Sequence, residues 1–349
     1  MSNFNITSPL LRPIRGSAVL LCALFLFPMA LLGQNSSSPG RVIMMTEGEV
    51  ARKAVKIDTM KKSLSFLCGE CEGRATGTEG SARAAKWIET RFKKIGAVPF
   101  GNSFVQEFTA PGGVTAHNVV GIVRGTGKYI PASYVIVMAN YDALGIKDGV
   151  MYPGADSNAS GVVAMLAMGD MLQKMHSIQK GYSSSIIFAA TDAHHLGCSG
   201  AAQLYKLIQN GLLVDPFSGI PITPSAIHLV IDLEQIGSTL SPIHKEREDY
   251  VIMLGGDGWQ NTSVSSLNGN PAINLDLGLD YYSSKDFTNL MYRTLGEQRV
   301  FVEAGLPVVV FTSGITMRNN KPDDTPSTIN LPILRRRAWL AFHFMERNL

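Results

Sequence analysis

Five short stretches of the chain concentrate side chains that bind metals or move protons. "VIVMANYDALG" carries Asn140 and Asp142, and "GADSNASG" carries Asp156 and Ser157. "IIFAATDAHHLGCSGA" carries His194 and His195 with Cys198 close behind. "HLVIDLEQIGS" carries Asp232 and Glu234, and "EQRVFVEAGLPVVVFTSG" leads into "NNKPDDTPSTI", which carries Asn320. Imidazole and carboxylate are zinc donors, and a catalytic zinc takes three of them plus a water. Asp142, Asp156, His194, His195 and Glu234 are therefore candidates for one cleft, where three of them suffice for a single ion. A plainer role stands beside that one. Short acids in loops hydrogen-bond loop backbone. Adjacent histidines point apart on a regular backbone, and two neutral imidazoles can simply fill a cleft.

The elements that must position these residues are legible from periodicity. Strand-like apolar runs occur at Asn118–Val123, Tyr134–Ala139, Ser185–Ala190, Ile227–Leu233 and Val308–Phe311, and several of them are apolar throughout, as strands buried on both faces must be. They alternate with helical patterns at Glu79–Ile95, Ala159–Met175, Ser199–Gln209, Lys285–Leu295 and Leu331–Met345. In the first of these, Ala84, Trp87, Ile88, Phe92 and Ile95 share a face. Such alternation predicts an α/β class, a three-layer α/β/α fold around a mainly parallel sheet. Sites in open α/β sheets form at the carboxyl ends of strands, which is where the five stretches fall. The Gly-, Asn- and Ser-rich segment 238–282 reads as an insertion or a set of loops over the sheet.

Taken together and in this order, the stretches resemble the secreted zinc aminopeptidases of peptidase family M28, a group that includes glutaminyl cyclases. The likeness runs from "GRATGTEGSARAAKWI" at Gly73 to the C-terminal helix, and "SFVQEFTAPGG" and "AHNVVGIVRG" fit it. It implies two zincs bridged by one carboxylate and a water, held by two histidines and two further carboxylates, with a glutamate as general base. Carried over residue by residue, the ligand positions fall on Asn140, Ser157, His195, Glu234 (or Asp232 if the register slips) and Asn320. The general base falls on His194. Asp142 keeps the place that orients the first histidine, and Asp156 sits beside the bridging position. Amides and hydroxyls are poor zinc ligands, so only His195 and Glu234 remain as plausible ones. The resemblance thus implies an aminopeptidase fold whose two-zinc site is lost. The expectation is a non-catalytic protein with no cofactor that holds a peptide or protein ligand in the cleft. The alternative is an exopeptidase or other hydrolase with a rewired site for one zinc.

Composition and charge bound the remaining classes. With 349 residues, 45% hydrophobic and 17% charged, the chain can bury one sizeable core. Arg12 and Arg15 precede an apolar run, Ala18–Leu32, that is shorter than the roughly 20 residues of a membrane span. Residues 1–33 read as a secretory signal, with an uncleaved anchor as the alternative, 34–52 as a flexible segment and 53–349 as the α/β/α domain. Export to a periplasmic, cell-surface or secreted location follows, with no membrane span after cleavage. Without the signal's two arginines, 29 of the 31 basic residues face 28 acidic ones, a balance that gives no footing for nucleic acid. Cys68-Gly-Glu-Cys71 is open to a local disulfide or to two buried thiols.

Overall fold

The computed structural model describes residues 45–126, 133–256, 259 and 263–349, so the expected signal lies outside the described residues. Eleven strands are present among them: β1 (Val98–Pro99), β2 (Val105–Ala110), β3 (Val114–Val123), β4 (Tyr134–Asn140), β5 (Gly145–Lys147), β6 (Val150–Tyr152), β7 (Ser185–Thr191), β8 (Ile227–Glu234), β9 (Tyr250–Leu254), β10 (Asp276–Gly278) and β11 (Val308–Thr312). The helices are α1 (Glu47–Ala54), α2 (Ile57–Ser65), α3 (Glu79–Lys94), α4 (Ser160–Ser177), α5 (Ser199–Gln209), α6 (Ser263–Asn268), α7 (Lys285–Thr294), α8 (Gln298–Glu303) and α9 (Leu331–Arg347).

Nine strands form one sheet in the order β1-β3-β7-β4-β8-β11-β9-β10, with β2 paired to β3. The four central strands, β7, β4, β8 and β11, run parallel, and antiparallel pairs flank them on both sides. Every residue of β4 is buried, as a central strand without a wet face requires. Val135, Val137 and Ala139 enter one apolar layer with α1, α2, α3, α4 and α9. Ile136 and Met138 enter the other, against α5 and α8. The period of two along the strand thus sorts its side chains into two cores, which makes the fold a three-layer α/β/α sandwich. Because β4, β7, β8 and β11 share a direction, their carboxyl ends place Asn140, His194, Glu234 and the loop after Thr312 on one side of the sheet.

Two expectations are corrected. The segment 238–282 is not loops alone, since β9 lies fully buried within the sheet and pairs antiparallel with β11, Val310 opposite Leu254. Five apolar residues suffice for a buried strand whatever the polarity of their neighbours. The domain also begins earlier than Lys53. Thr46 and Glu49 cap α1 reciprocally, and the helix buries Ala51 and Arg52, so the last residues of the supposed flexible segment are helical. Cys68 and Cys71 are separate buried thiols. Among the described residues no helix is long and apolar enough to cross a membrane.

Candidate functional site

The first half of the site hangs on the loop between Pro153 and α4. Gly154 takes a left-handed conformation (φ 57°) there, and the guanidinium of Arg74 enters beside it, fully buried. Arg74 donates to the carbonyls of Leu67, Tyr141, Pro153 and Gly154 at 2.6–3.0 Å. The Asp324 carboxylate accepts from the backbone N–H of Asp156 (2.8 Å) and of Ser157 (3.1 Å). Downstream, Asn158 Oδ1 accepts from the N–H of Gly161 (3.2 Å), the cap-like bond expected of this segment, and from the N–H of Gln235 (2.9 Å). Gly161 must be glycine, because a Cβ would stand 2.1 Å from the Leu233 carbonyl.

These constraints set Asn140, Asp142 and Asn158 in contact. Asn140 Oδ1 accepts from Asn158 Nδ2 at 3.0 Å, and Asn140 Nδ2 donates to Asp142 Oδ1 at 3.1 Å. Asn158 Nδ2 also donates to Leu233 O, and Asp142 Oδ2 accepts from the N–H of His195 at 3.3 Å. Every side-chain polar atom of Asn140, Asp142 and Asn158 therefore has a partner. Asp156 is buried and accepts from Ser160 Oγ and the N–H groups of Gly237 and Ser238 on one oxygen, while the other has none. Burial, reinforced by the Asp324 charge, pushes its carboxyl up to about 7.

The second half is built on the turn after β7 and the end of β8. Asp192 anchors that turn. It accepts from Thr76, Tyr141 and the N–H groups of His117 and Ala193. His194 Nδ1 then lies 3.1 Å from Glu297 Oε1 and 3.9 Å from Cys198 Sγ. The rings of His194 and His195 meet edge to face at 5.1 Å, so the expectation that the two imidazoles diverge is corrected: the backbone turns through a left-handed Ala193 into a tight helical turn. Burial opposes protonation of His194, but its contacts with Cys198 and Glu297 and the charge of Glu234 outweigh it and hold the imidazole well above its ordinary value. Burial outweighs Asp142 at His195 and holds that imidazole low. Burial, with the charges of Glu234 and Glu297, pushes Asp232 well up, and burial raises Glu234 against the pull of His194. Glu297, Asp232 and Glu234 each keep one buried oxygen without a partner. A pocket of about 160 Å³ adjoins this group, lined by His194, Glu234, Gln298 and Asn319 together with Leu254, Met291, Val310 and Ile315.

Two residues of functional weight escape the sequence. Glu297 stands 103 positions from the histidine it contacts, and no periodicity links them. Asn320 is exposed, while its neighbour Asn319 lines the pocket, so the asparagine that approaches the site is one position earlier than the motif suggests. Loop residues carry no period that would fix such a register.

The donor set does not fit two zinc ions. At the family's ligand positions Asn140 has its amide fully engaged, Ser157 offers a neutral hydroxyl and Asn320 faces solvent. His195 Nε2 and Glu234 Oε2 alone are unpartnered donors there, and no carboxylate stands at the bridging position.

Residues 118–345 match the profile of Peptidase family M28, well over half of the chain. No curated protein sequence is significantly similar to it. Among solved structures, the LapA aminopeptidase of Legionella pneumophila is similar at a TM-score of 0.62 and 15% identity, over 85% of this chain and 73% of that one. The zinc aminopeptidase BSAP of Bacillus subtilis is similar at 0.59 and 14%, over 84% and 95%. The glutaminyl cyclase of Porphyromonas gingivalis is similar at 0.57 and 14%, over 84% and 99%. Identities this low speak for the fold, and the profile match carries the assignment. The chain belongs to peptidase family M28.

Proposed function

We propose that this chain is a non-catalytic member of its family, an exported binding module that uses the cleft to hold a peptide or protein ligand. One observation carries the reading: Asn140, at the place of the first histidine ligand, has its amide fully engaged by Asp142 and Asn158. A closed network there stabilises the loop and leaves Asn140, Asp142 and Asn158 no unpartnered side-chain atom to offer a metal. The pocket supports the ligand class. A volume of about 160 Å³ is close to that of a cavity that takes one benzene-sized group, and its walls are largely aliphatic. Glu234 at its margin favours an amino group beside that apolar side chain. Zinc-supplemented turnover of a panel of aminoacyl anilides, run beside calorimetric titration with peptides bearing apolar N-terminal residues, tests both parts. The expected outcome is no turnover above buffer and measurable binding of a peptide with a free amino terminus. Turnover abolished by a chelator overturns the reading.

A second reading, a hydrolase with one metal, rests on the convergence of His194, Cys198 and Glu297. Turnover that follows a single bound ion favours it.

A further inference from the structure

We propose that His194 Nδ1, Cys198 Sγ and Glu297 Oε1 form a site for one zinc-like divalent ion, displaced from the family's two-zinc position. The three atoms lie within 4.8 Å of one another. The separations of 3.1 Å (N to O) and 3.9 Å (N to S) bracket the about 3.3–3.6 Å between ligands on a tetrahedral zinc with ordinary bond lengths. A nitrogen, a thiolate and a carboxylate together suit zinc or cobalt(II) rather than magnesium or calcium.

A cysteine–histidine–glutamate nucleophilic relay does not fit the same residues. In a relay one ring nitrogen takes the thiol proton while the other is held by the acid. Here Nδ1 faces both Cys198 and Glu297. The second ring nitrogen is therefore not interposed between thiol and acid, and what remains is three metal-ligating atoms gathered at one place.

The surroundings supply an independent reason. Glu297 and Asp232 are wholly buried, and each has an oxygen with no partner, as does Glu234. His194 is the basic side chain bonded to this group of three acids. Buried, unpaired carboxylate oxygens are costly, and a divalent cation relieves them. With three protein ligands the ion would keep a fourth position open. Unlike the asparagine network, this group has donors to spare.

The test is cobalt(II) titration of the full chain after chelation, followed by absorption spectroscopy and elemental analysis. One equivalent should bind, with a thiolate-to-cobalt charge-transfer band. Cys198→Ser should abolish the band and weaken binding more than about tenfold. Cys71→Ser, a buried thiol elsewhere, should leave both unchanged. Glu297→Gln provides a second variant that keeps the shape of the site, and it should weaken binding while circular dichroism reports an intact fold. Absence of a bound equivalent, a band that persists in Cys198→Ser, or binding lost only with His195→Ala would each overturn the proposal.

Discussion

Two neighbouring regions at the carboxyl ends of the strands, joined where Asp142 accepts from the N–H of His195, have opposite characters. Around Asn140, Asp142 and Asn158 each polar side-chain atom is partnered, and Arg74 stitches the adjoining loop to four carbonyls. Around His194, Glu234 and Glu297 three acids crowd one imidazole and a thiol, and each acid leaves an oxygen unanswered. The first region spends its polar groups on itself and so behaves as structure. The second keeps charge and donor capacity in reserve, at a cost that only a ligand or a proton offsets. On the proposed reading, the sign of a lost site is not that polar residues vanish. It is that they bond to each other.

The contrast can be broken from the structural side. Replacing Arg74 with leucine strands four buried carbonyls, and chemical unfolding should show a loss of about 3–5 kcal/mol. A loss under about 1 kcal/mol would mean that the loop is not held as described. Next comes Asp156. Its folded carboxyl is raised to about 7 from an ordinary 3.8, so the folded state holds a proton that the unfolded state has released. Its contribution is fully present below about pH 4 and is lost as pH rises through 7, by about 2–4 kcal/mol. Melting temperatures from pH 4 to 8 should fall more steeply for wild type than for Asp156→Asn, and parallel curves would contradict the assignment.

Smaller effects sharpen the comparison. Asn158→Ala removes bonds to Asn140, Leu233, Gly161 and Gln235 and should cost about 2–3 kcal/mol without altering metal content. Altered metal content in that variant would join the two regions into one site. The histidines give the finest test. In the metal-free chain NMR should find His194 still protonated at a pH where His195 has become neutral, since acids and the thiol surround the first and burial dominates the second. The reverse order would move the charge out of the second region.

Much of the frame was legible before any coordinates. The strands at 134, 185, 227 and 308 are predominantly apolar, and α5 keeps the bounds read from its periodicity, because burial on both faces writes itself into composition. β9 was not legible, since five apolar residues in a Gly- and Asn-rich context carry too short a pattern. In the site, Asp142 and Glu234 followed from their strand ends. Glu297 did not, because its contact with His194 depends on how α8 packs against β8 and not on local sequence. The one-residue shift from Asn320 to Asn319 has the same origin, a turn after Gly314 whose path no periodicity records. An attempt to restore a two-zinc site by Asn140→His, Ser157→Asp, His194→Glu and His195→Glu should therefore carry Asn319→His and Asn320→His in turn as the fifth change.

The difference between the regions is tested most directly by counting metal in the full chain, purified with zinc present and then dialysed, with the same count on Asn140→Ala and Cys198→Ser. The account predicts no more than one equivalent in wild type, unchanged by Asn140→Ala and lost with Cys198→Ser. Two tightly held equivalents, reduced by Asn140→Ala and accompanied by chelator-sensitive hydrolysis of an aminoacyl anilide, would contradict it.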